Sequence, residues 1–266
     1  MRQPLLVREN DPGRGISVTS HARDYARDSR VSLHAHGSDQ LVYASRGVME
    51  IAAGEHLWVL PPHFGLWVPA RTAHRIHMHE RVGMRTLYLR PGIFARWAGC
   101  TVFHVTPLLR QLIFEIVRRE RLRARDGLDG ALLQVLVAQL ERATPVPTGI
   151  TLPRDERAAA VAQRVLEDVA SRRSLGDLCK SAGASVRTMQ RIFQREVGLD
   201  FESWRRQVRL MRGVQLLVSG RSVKEVADAV GYADTSTFVA LFRSVFERPP
   251  KAWVLGLPSE RSDEEE

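Results

Sequence analysis

Three histidines and a glutamine are spaced as a metal or ligand site would space them. His34-Ala-His36 puts two imidazoles at i and i+2, on one face of an extended strand. Gln40 follows closely, and His74 closes the run Pro69-Ala-Arg-Thr-Ala-His74. A histidine from a second strand can complete such a site, and imidazole nitrogens suit a borderline divalent ion. The expectation is a pocket lined by His34, His36, Gln40, Tyr43, Trp67 and His74, with His34, His36, Gln40 and His74 as the ligands if a divalent metal is held. Two alternatives stand beside it. The histidines line a barrel that holds no metal, and Tyr43, Trp67, Trp58 and Phe64 serve as core. His77 and His79 alternate with Met78 as in a strand, and read as surface or core residues.

A different chemistry lies in the C-terminal part, where the chain repeats itself. Ser174-Leu-Gly-Asp-Leu-Cys-Lys-Ser-Ala-Gly183 aligns with Ser222-Val-Lys-Glu-Val-Ala-Asp-Ala-Val-Gly231. Each copy reads as a short helix capped by Ser, with a small residue at its middle (Cys179, Ala227) and a Gly where a tight turn needs positive φ. Ser222 with Glu225 fits a full capping box, and Ser174 with Asp177 resembles one. A second helix follows each turn, from Ser185 to Phe193 and from Asp234 to Phe242. Met189, Ile192 and Phe193 match Phe238, Leu241 and Phe242 as inward positions. The outward face of the first is Arg187, Gln190, Arg191 and Gln194; that of the second is Thr235, Ser236, Thr237, Val239 and Ala240. Helix, glycine turn, helix is a layout that sets its second helix in the DNA major groove. There Arg can pair with guanine O6 and N7, and Gln with adenine. A helix from Phe201 to Ser219, about 28 Å long, joins the copies. Arg205, Arg206, Arg209 and Arg212 line it within reach of phosphates, or else form a solvated face.

Other elements must position these groups. Val31–His36, Gln40–Ala44, Gly47–Ile51, His56–Leu60, Gly65–Pro69 and Met84–Leu89 read as strands, at the spacing of an all-β sandwich or barrel. Thr106-Pro107 starts an amphipathic helix whose basic end runs from Arg118 to Arg125. A second helix covers about Leu128 to Arg142; its stripe Leu132, Leu136, Leu140 reads as a dimer seam, or as packing against the barrel. Thr144-Pro-Val-Pro-Thr-Gly149 is a linker by composition. Asp155 to Ser171 reads as one helix, and Pro249-Pro250 as the end of the last long one.

Charge agrees without deciding. The net charge is +9 and the sequence pI about 10.4, which favours a polyanionic partner. Yet residues 1–150 carry net +7 and residues 151–253 net +6, so charge does not say which half meets DNA, while the tail from Val254 carries net −4. Two cysteines, Cys100 and Cys179, exclude a disulfide framework. No apolar run suits a secretory signal or a membrane span, so a cytoplasmic protein is expected.

With these residues in view, a resemblance is plain. Gly183 to Gly198, and Ser222 to Asp234 continuing through Phe242-Arg-Ser-Val-Phe-Glu-Arg-Pro-Pro-Lys-Ala-Trp253, resemble the AraC/XylS family over about Asp155 to Trp253. The resemblance implies base contacts from Arg187, Gln190 and Arg191 and from Thr235, Ser236, Thr237 and Ala240; some members carry a long basic side chain where this chain has Ala240. The histidine runs resemble the two motifs of cupin barrels, with Gln40 at the acidic ligand position and Arg71 at that of a glycine.

The resulting expectation is a two-domain transcription regulator that is not an enzyme. Residues 1–103 form an all-β cupin-like sensor barrel and 104–150 a helical dimerisation segment and linker. Residues 151–258 form an all-α domain with two helix-turn-helix units, and 259–266 an acidic tail. Expected partners are double-stranded DNA, a small-molecule effector, a second copy of the chain and, if it activates, RNA polymerase. The alternative is a metal-binding cupin sensor or enzyme fused to a DNA-binding domain.

Overall fold

The computed structural model describes residues 5–7, 9–146 and 149–255; the acidic tail lies outside them. By its contacts the chain divides into two compact units, one made mainly of residues up to Pro147 and one mainly of Thr148–Leu257.

The first unit is built on two sheets. One runs β1 (Leu5–Val7), β3 (Arg30–His36), β8 (His74–Met78), β5 (Met49–Ala53), β6 (His56–Leu60). The other runs β10 (Thr101–His104), β7 (Phe64–Val68), β4 (Asp39–Arg46), β9 (Val82–Leu89), β2 (Val18–Tyr25), β11 (Arg121–Leu122). β1 lies parallel to β3, and the ladders of the second sheet are antiparallel. This is the all-β, cupin-like architecture expected. The expected strands form; β2 was not expected, because Thr19, Ser20, His21, Arg23 and Asp24 dilute its apolar signal.

Helices α1 (Pro107–Arg119) and α2 (Gly127–Arg142) cover one face of the second sheet. Leu109 N–H donates to the Thr106 hydroxyl at 3.1 Å, so the cap and Pro107 start α1 as expected. The basic end does not stay helical: Glu120 turns to φ 63, and Arg121–Leu122 pair with Thr19 and Val18. Leu136 and Leu140 are fully buried in one core with Tyr43, Trp67, Leu87, Phe94, Trp97 and Phe103, and Leu132 packs against it. The proposed dimer stripe is therefore spent on the β-sheet. Truncating Leu136 to Ala would cost about 2–5 kcal/mol of stability.

The second unit opens with β12 (Gly149–Thr151) and is otherwise helical. α3 (Glu156–Glu167) is capped by Asp155 and stops short of Ser171. α4 (Leu175–Lys180), α5 (Val186–Glu196), α7 (Val223–Ala229) and α8 (Thr235–Phe246) form the repeated pairs. α6 (Phe201–Val218) is the central helix, burying Trp204, Val208, Met211 and Val214. Trp204 and Phe201 pack edge-to-face against Phe193 of α5, with centroids 5.2 and 5.3 Å from it. Gly213 of α6 lets α8 approach: a Cβ there would sit 2.8 Å from the Phe238 ring. Pro250 does not merely end a helix. It begins α9 (Pro250–Leu255), whose Trp253 packs on Phe242 at 5.5 Å.

Candidate DNA interface and sensor site

Both turn glycines take positive φ, 63° at Gly183 and 83° at Gly231. The first helices are capped as expected, Ser174 accepting from Asp177 N–H and Ser222 from Glu225 N–H. Of the two, Glu225 reaches back to the backbone of its cap residue, accepting from Ser222 N–H at 2.8 Å. Asp177, one methylene shorter, instead accepts from the Ser174 hydroxyl at 2.6 Å.

On α5 the buried side is Met189, Ile192 and Phe193, and Arg187, Gln190, Arg191 and Gln194 all stand exposed. On α8 Ser236, Thr237 and Ala240 are exposed and Thr235 and Val239 half-buried. Phe238 and Phe242 are buried, while Leu241, expected inward, is half-exposed. Asp234 caps this helix, accepting from Ser236 N–H at 3.2 Å, from the Ser236 hydroxyl, and from the Thr237 hydroxyl at 3.3 Å. Those bonds, led by that from the Ser236 side chain, hold its carboxyl below the usual range. Sequence reasoning missed Arg243, which is exposed and follows Ser236 and Ala240 at i+7 and i+3, the helical spacing that shares a face.

The four arginines of α6 split into two kinds. Arg205 donates to the Arg173 carbonyl at 2.8 Å and lies over Phe201; Arg209 donates to the carbonyls of Val169 and Ser171 and lies over Tyr232. Both tie the segment after α3 to α6. Arg206 and Arg212 are exposed; Arg206 donates to the Ser203 hydroxyl and Arg212 to the Gln215 side-chain oxygen.

In the first unit the three motif histidines converge. His34 and His74 are direct partners across the β3–β8 ladder. Ring centroids of His34 lie 4.3 Å from His74 and 4.8 Å from His36, and all three residues are buried. Nδ1 of His34 is 2.7 Å from the Ser32 carbonyl and Nδ1 of His74 is 3.0 Å from the Thr72 carbonyl. A carbonyl only accepts, so each Nδ1 carries a proton, and Nε2 is the nitrogen left to act as a ligand. Burial lowers the His74 pKa to about 4, which keeps its ring neutral at pH 7. One ligand atom from each of His34, His36 and His74 lies within 4.8 Å of the others. His34 and His74, each held through Nδ1, converge with His36 in a set of imidazole donors that suits a borderline divalent ion, so these residues fit the metal that cupin motifs imply.

The structure divides the remaining pocket residues. Gln40 pairs with Tyr88, and Tyr88 packs on His36 at 4.8 Å, so Gln40 belongs to the histidine side. Tyr43 and Trp67 do not. Both lie in the core under α1 and α2: Leu41 and Tyr43 of β4 face the helices, and Trp67 of β7 is the cross-strand partner of Leu41. Tyr88 and Thr86 are the interior residues that the sequence did not reveal; burial pushes the Tyr88 phenol above its usual pKa.

The AraC-like ligand binding domain family model matches residues 16–182, more than half of the chain. The chain belongs to the AraC family. A helix-turn-helix domain model matches residues 178–255. The HTH-type transcriptional regulator NimR of Escherichia coli is 24% identical over 85% of this chain and 82% of its own length. The HTH-type transcriptional regulator RipA of Corynebacterium glutamicum is 35% identical over 42% of this chain and 33% of its own. A crystal structure of ToxT from Vibrio cholerae is 11% identical, with a TM-score of 0.40, over 91% of this chain and 99% of that one. This AraC-type chain is thus a helix-turn-helix DNA-binding regulator with an N-terminal ligand-binding domain. Among the described residues no helix is long and apolar enough to cross a membrane.

Proposed function

We propose that this regulator reads its operator mainly with α5 and answers to a small molecule bound beside the interior histidines. The observation that carries the first part is the exposed row Arg187, Gln190, Arg191, Gln194 on α5. These residues reach base edges; Thr235, Ser236, Thr237 and Ala240 of α8 add softer contacts, and Arg206 meets phosphate. Residues 1–103 act as the sensor, 104–150 as the pairing segment and linker, and 151–258 as the DNA reader, working in the cytoplasm; as an activator the chain would also meet RNA polymerase. A gel-shift titration on DNA upstream of its own gene, with excess nonspecific competitor, tests the reading. A retained shift that Arg187→Ala/Arg191→Ala abolishes supports it; a shift untouched by those changes refutes it.

Pairing of two copies uses a different face of α2 from the one the sequence suggested. With Leu136 and Leu140 buried, Leu128 (58% exposed) and Val135 (40% exposed) remain outside, and Ala131 and Ala138 complete an i, i+3, i+7, i+10 row. That spacing and those small residues fit a close helix–helix seam between two copies. Sedimentation should show a dimer that Val135→Glu converts to monomer.

A second reading, a metal-holding sensor, is favoured by the anchored Nδ1 atoms of His34 and His74. An ion on three neutral imidazoles keeps its full charge and would attract an anionic effector group. Stoichiometric metal in purified protein, with effector response lost in His34→Ala/His36→Ala, supports it. Intact response in that variant contradicts it.

A further inference from the structure

A second gathering of ligand-type groups lies on the outer face of the sheet that carries the interior histidines. Along β8 the side chains alternate: His74, Ile76 and Met78 are buried, and His77 is half-buried on the opposite side. Glu50 of β5 is the direct cross-strand partner of His77. His79, just beyond β8, returns to that side, its ring centroid 4.3 Å from that of His77. His79 Nε2 lies 3.2 Å from Glu50 Oε2. One ligand atom from each of Glu50, His77 and His79 lies within 4.8 Å of the others.

A further carboxylate stands at the rim. Asp28 occupies the β2–β3 turn at φ 62. Its N–H donates to the Met78 carbonyl at 2.8 Å, and Met78 N–H donates to the Ser29 carbonyl at 2.9 Å. These bonds pin the turn to the end of β8 and leave Asp28 Oδ1 3.9 Å from His77 Nε2.

We propose that Glu50, His77 and His79 bind a zinc-class divalent cation on the outer face of the sensor, with Asp28 completing the donor set. Two imidazole nitrogens and two carboxylate oxygens match the donors such an ion selects. Donor atoms around a tetrahedral ion with bonds of about 2.0–2.1 Å stand about 3.3 Å apart, and the contacts of 3.2 and 3.9 Å already bracket that spacing. The side chains of Glu50, His77 and His79 are 27%, 26% and 26% exposed, open enough for an ion to enter and for the ligands to close on it. The two carboxylates would neutralise the charge, which the interior triad lacks the groups to do. Arg30, which pairs with His77 from β3, is a nearby opposing cation, and Arg75 shares the outer face of β8. An ion here would clip β5, β8 and the β2–β3 turn together.

Untagged full-length protein carrying His34→Ala/His74→Ala, which silences the interior triad, should bind a single equivalent of Co2+ with visible ligand-field absorption. Zn2+ should displace the Co2+ and raise the melting temperature. Adding Glu50→Gln should weaken binding about tenfold or more, and adding His77→Ala/His79→Ala should abolish it. Absence of saturable binding in the folded His34→Ala/His74→Ala background, or binding indifferent to His77→Ala/His79→Ala, overturns the proposal. If that background does not fold, the native chain decides: His77→Ala/His79→Ala lowers its Zn2+ stoichiometry by one, and an unchanged stoichiometry refutes the site.

Discussion

The two helix-turn-helix units share one plan and spend it differently. Each has a serine-capped first helix, a glycine turn at positive φ and a second helix seated on buried aromatics. The first presents long donors on α5, and none of Arg187, Gln190, Arg191 or Gln194 is engaged elsewhere among the described residues. The second presents short side chains on α8, and the hydroxyls of Ser236 and Thr237 are already tied to Asp234. It is the better braced of the two, with a complete capping box and a turn wedged against Ala170. On the proposed reading the first copy does the base reading and the second holds position.

The largest effect that would break this comparison lies in the turns. A Cβ at Gly231 would meet the Ala170 carbonyl at 2.6 Å, whereas at Gly183 it would meet nothing within 4 Å. Gly231→Ala should therefore cost about 2–4 kcal/mol, strain plus clash, and Gly183→Ala about 1 kcal/mol. Denaturant melts check this, and equal losses would remove the asymmetry.

Next come the reading faces. Arg191→Ala should lose about 1–3 kcal/mol of discrimination at one base pair. Ser236→Ala and Thr237→Ala should each change discrimination by less than about 1 kcal/mol, measured by competition between operator and single-base variants. Between the units, Arg206→Ala should weaken every sequence alike and reduce the salt slope by about 1. Arg209→Ala should instead lower the melting temperature, because its guanidinium holds the Val169 and Ser171 carbonyls. The smallest effect is at the α8 cap. Asp234→Asn keeps an acceptor for the helix but removes a negative charge from the end of the helix proposed to meet DNA. Affinity should rise roughly twofold for all duplexes, and more at low salt.

What the sequence disclosed followed from local chemistry. Ser174, Ser185 and Ser222 are caps, Gly183 and Gly231 are turns, and the α5 face is legible because 3.6-residue periodicity sorts Met189, Ile192 and Phe193 from Arg187, Gln190 and Arg191. What escaped it depends on partners. Tyr43 and Gln40 share a strand, but only the register of β4 against β9 says that one faces the helices and the other Tyr88. Leu132, Leu136 and Leu140 announce an apolar stripe without naming what covers it. Arg205 and Arg206 are neighbours in the chain with opposite roles, because one meets the Arg173 carbonyl and the other faces solvent. His77 reads as an ordinary strand residue until Glu50 is placed opposite it.

Selection of bound duplexes from a randomised pool tests the central claim most directly. If α5 carries the readout, the selected sequences will show strong base preferences across one major-groove segment and weak ones in the next, about 10 base pairs away. Arg187→Ala/Arg191→Ala will flatten the strong segment. Equally strong preferences in both segments, or a strong segment that survives the double substitution, would contradict the account.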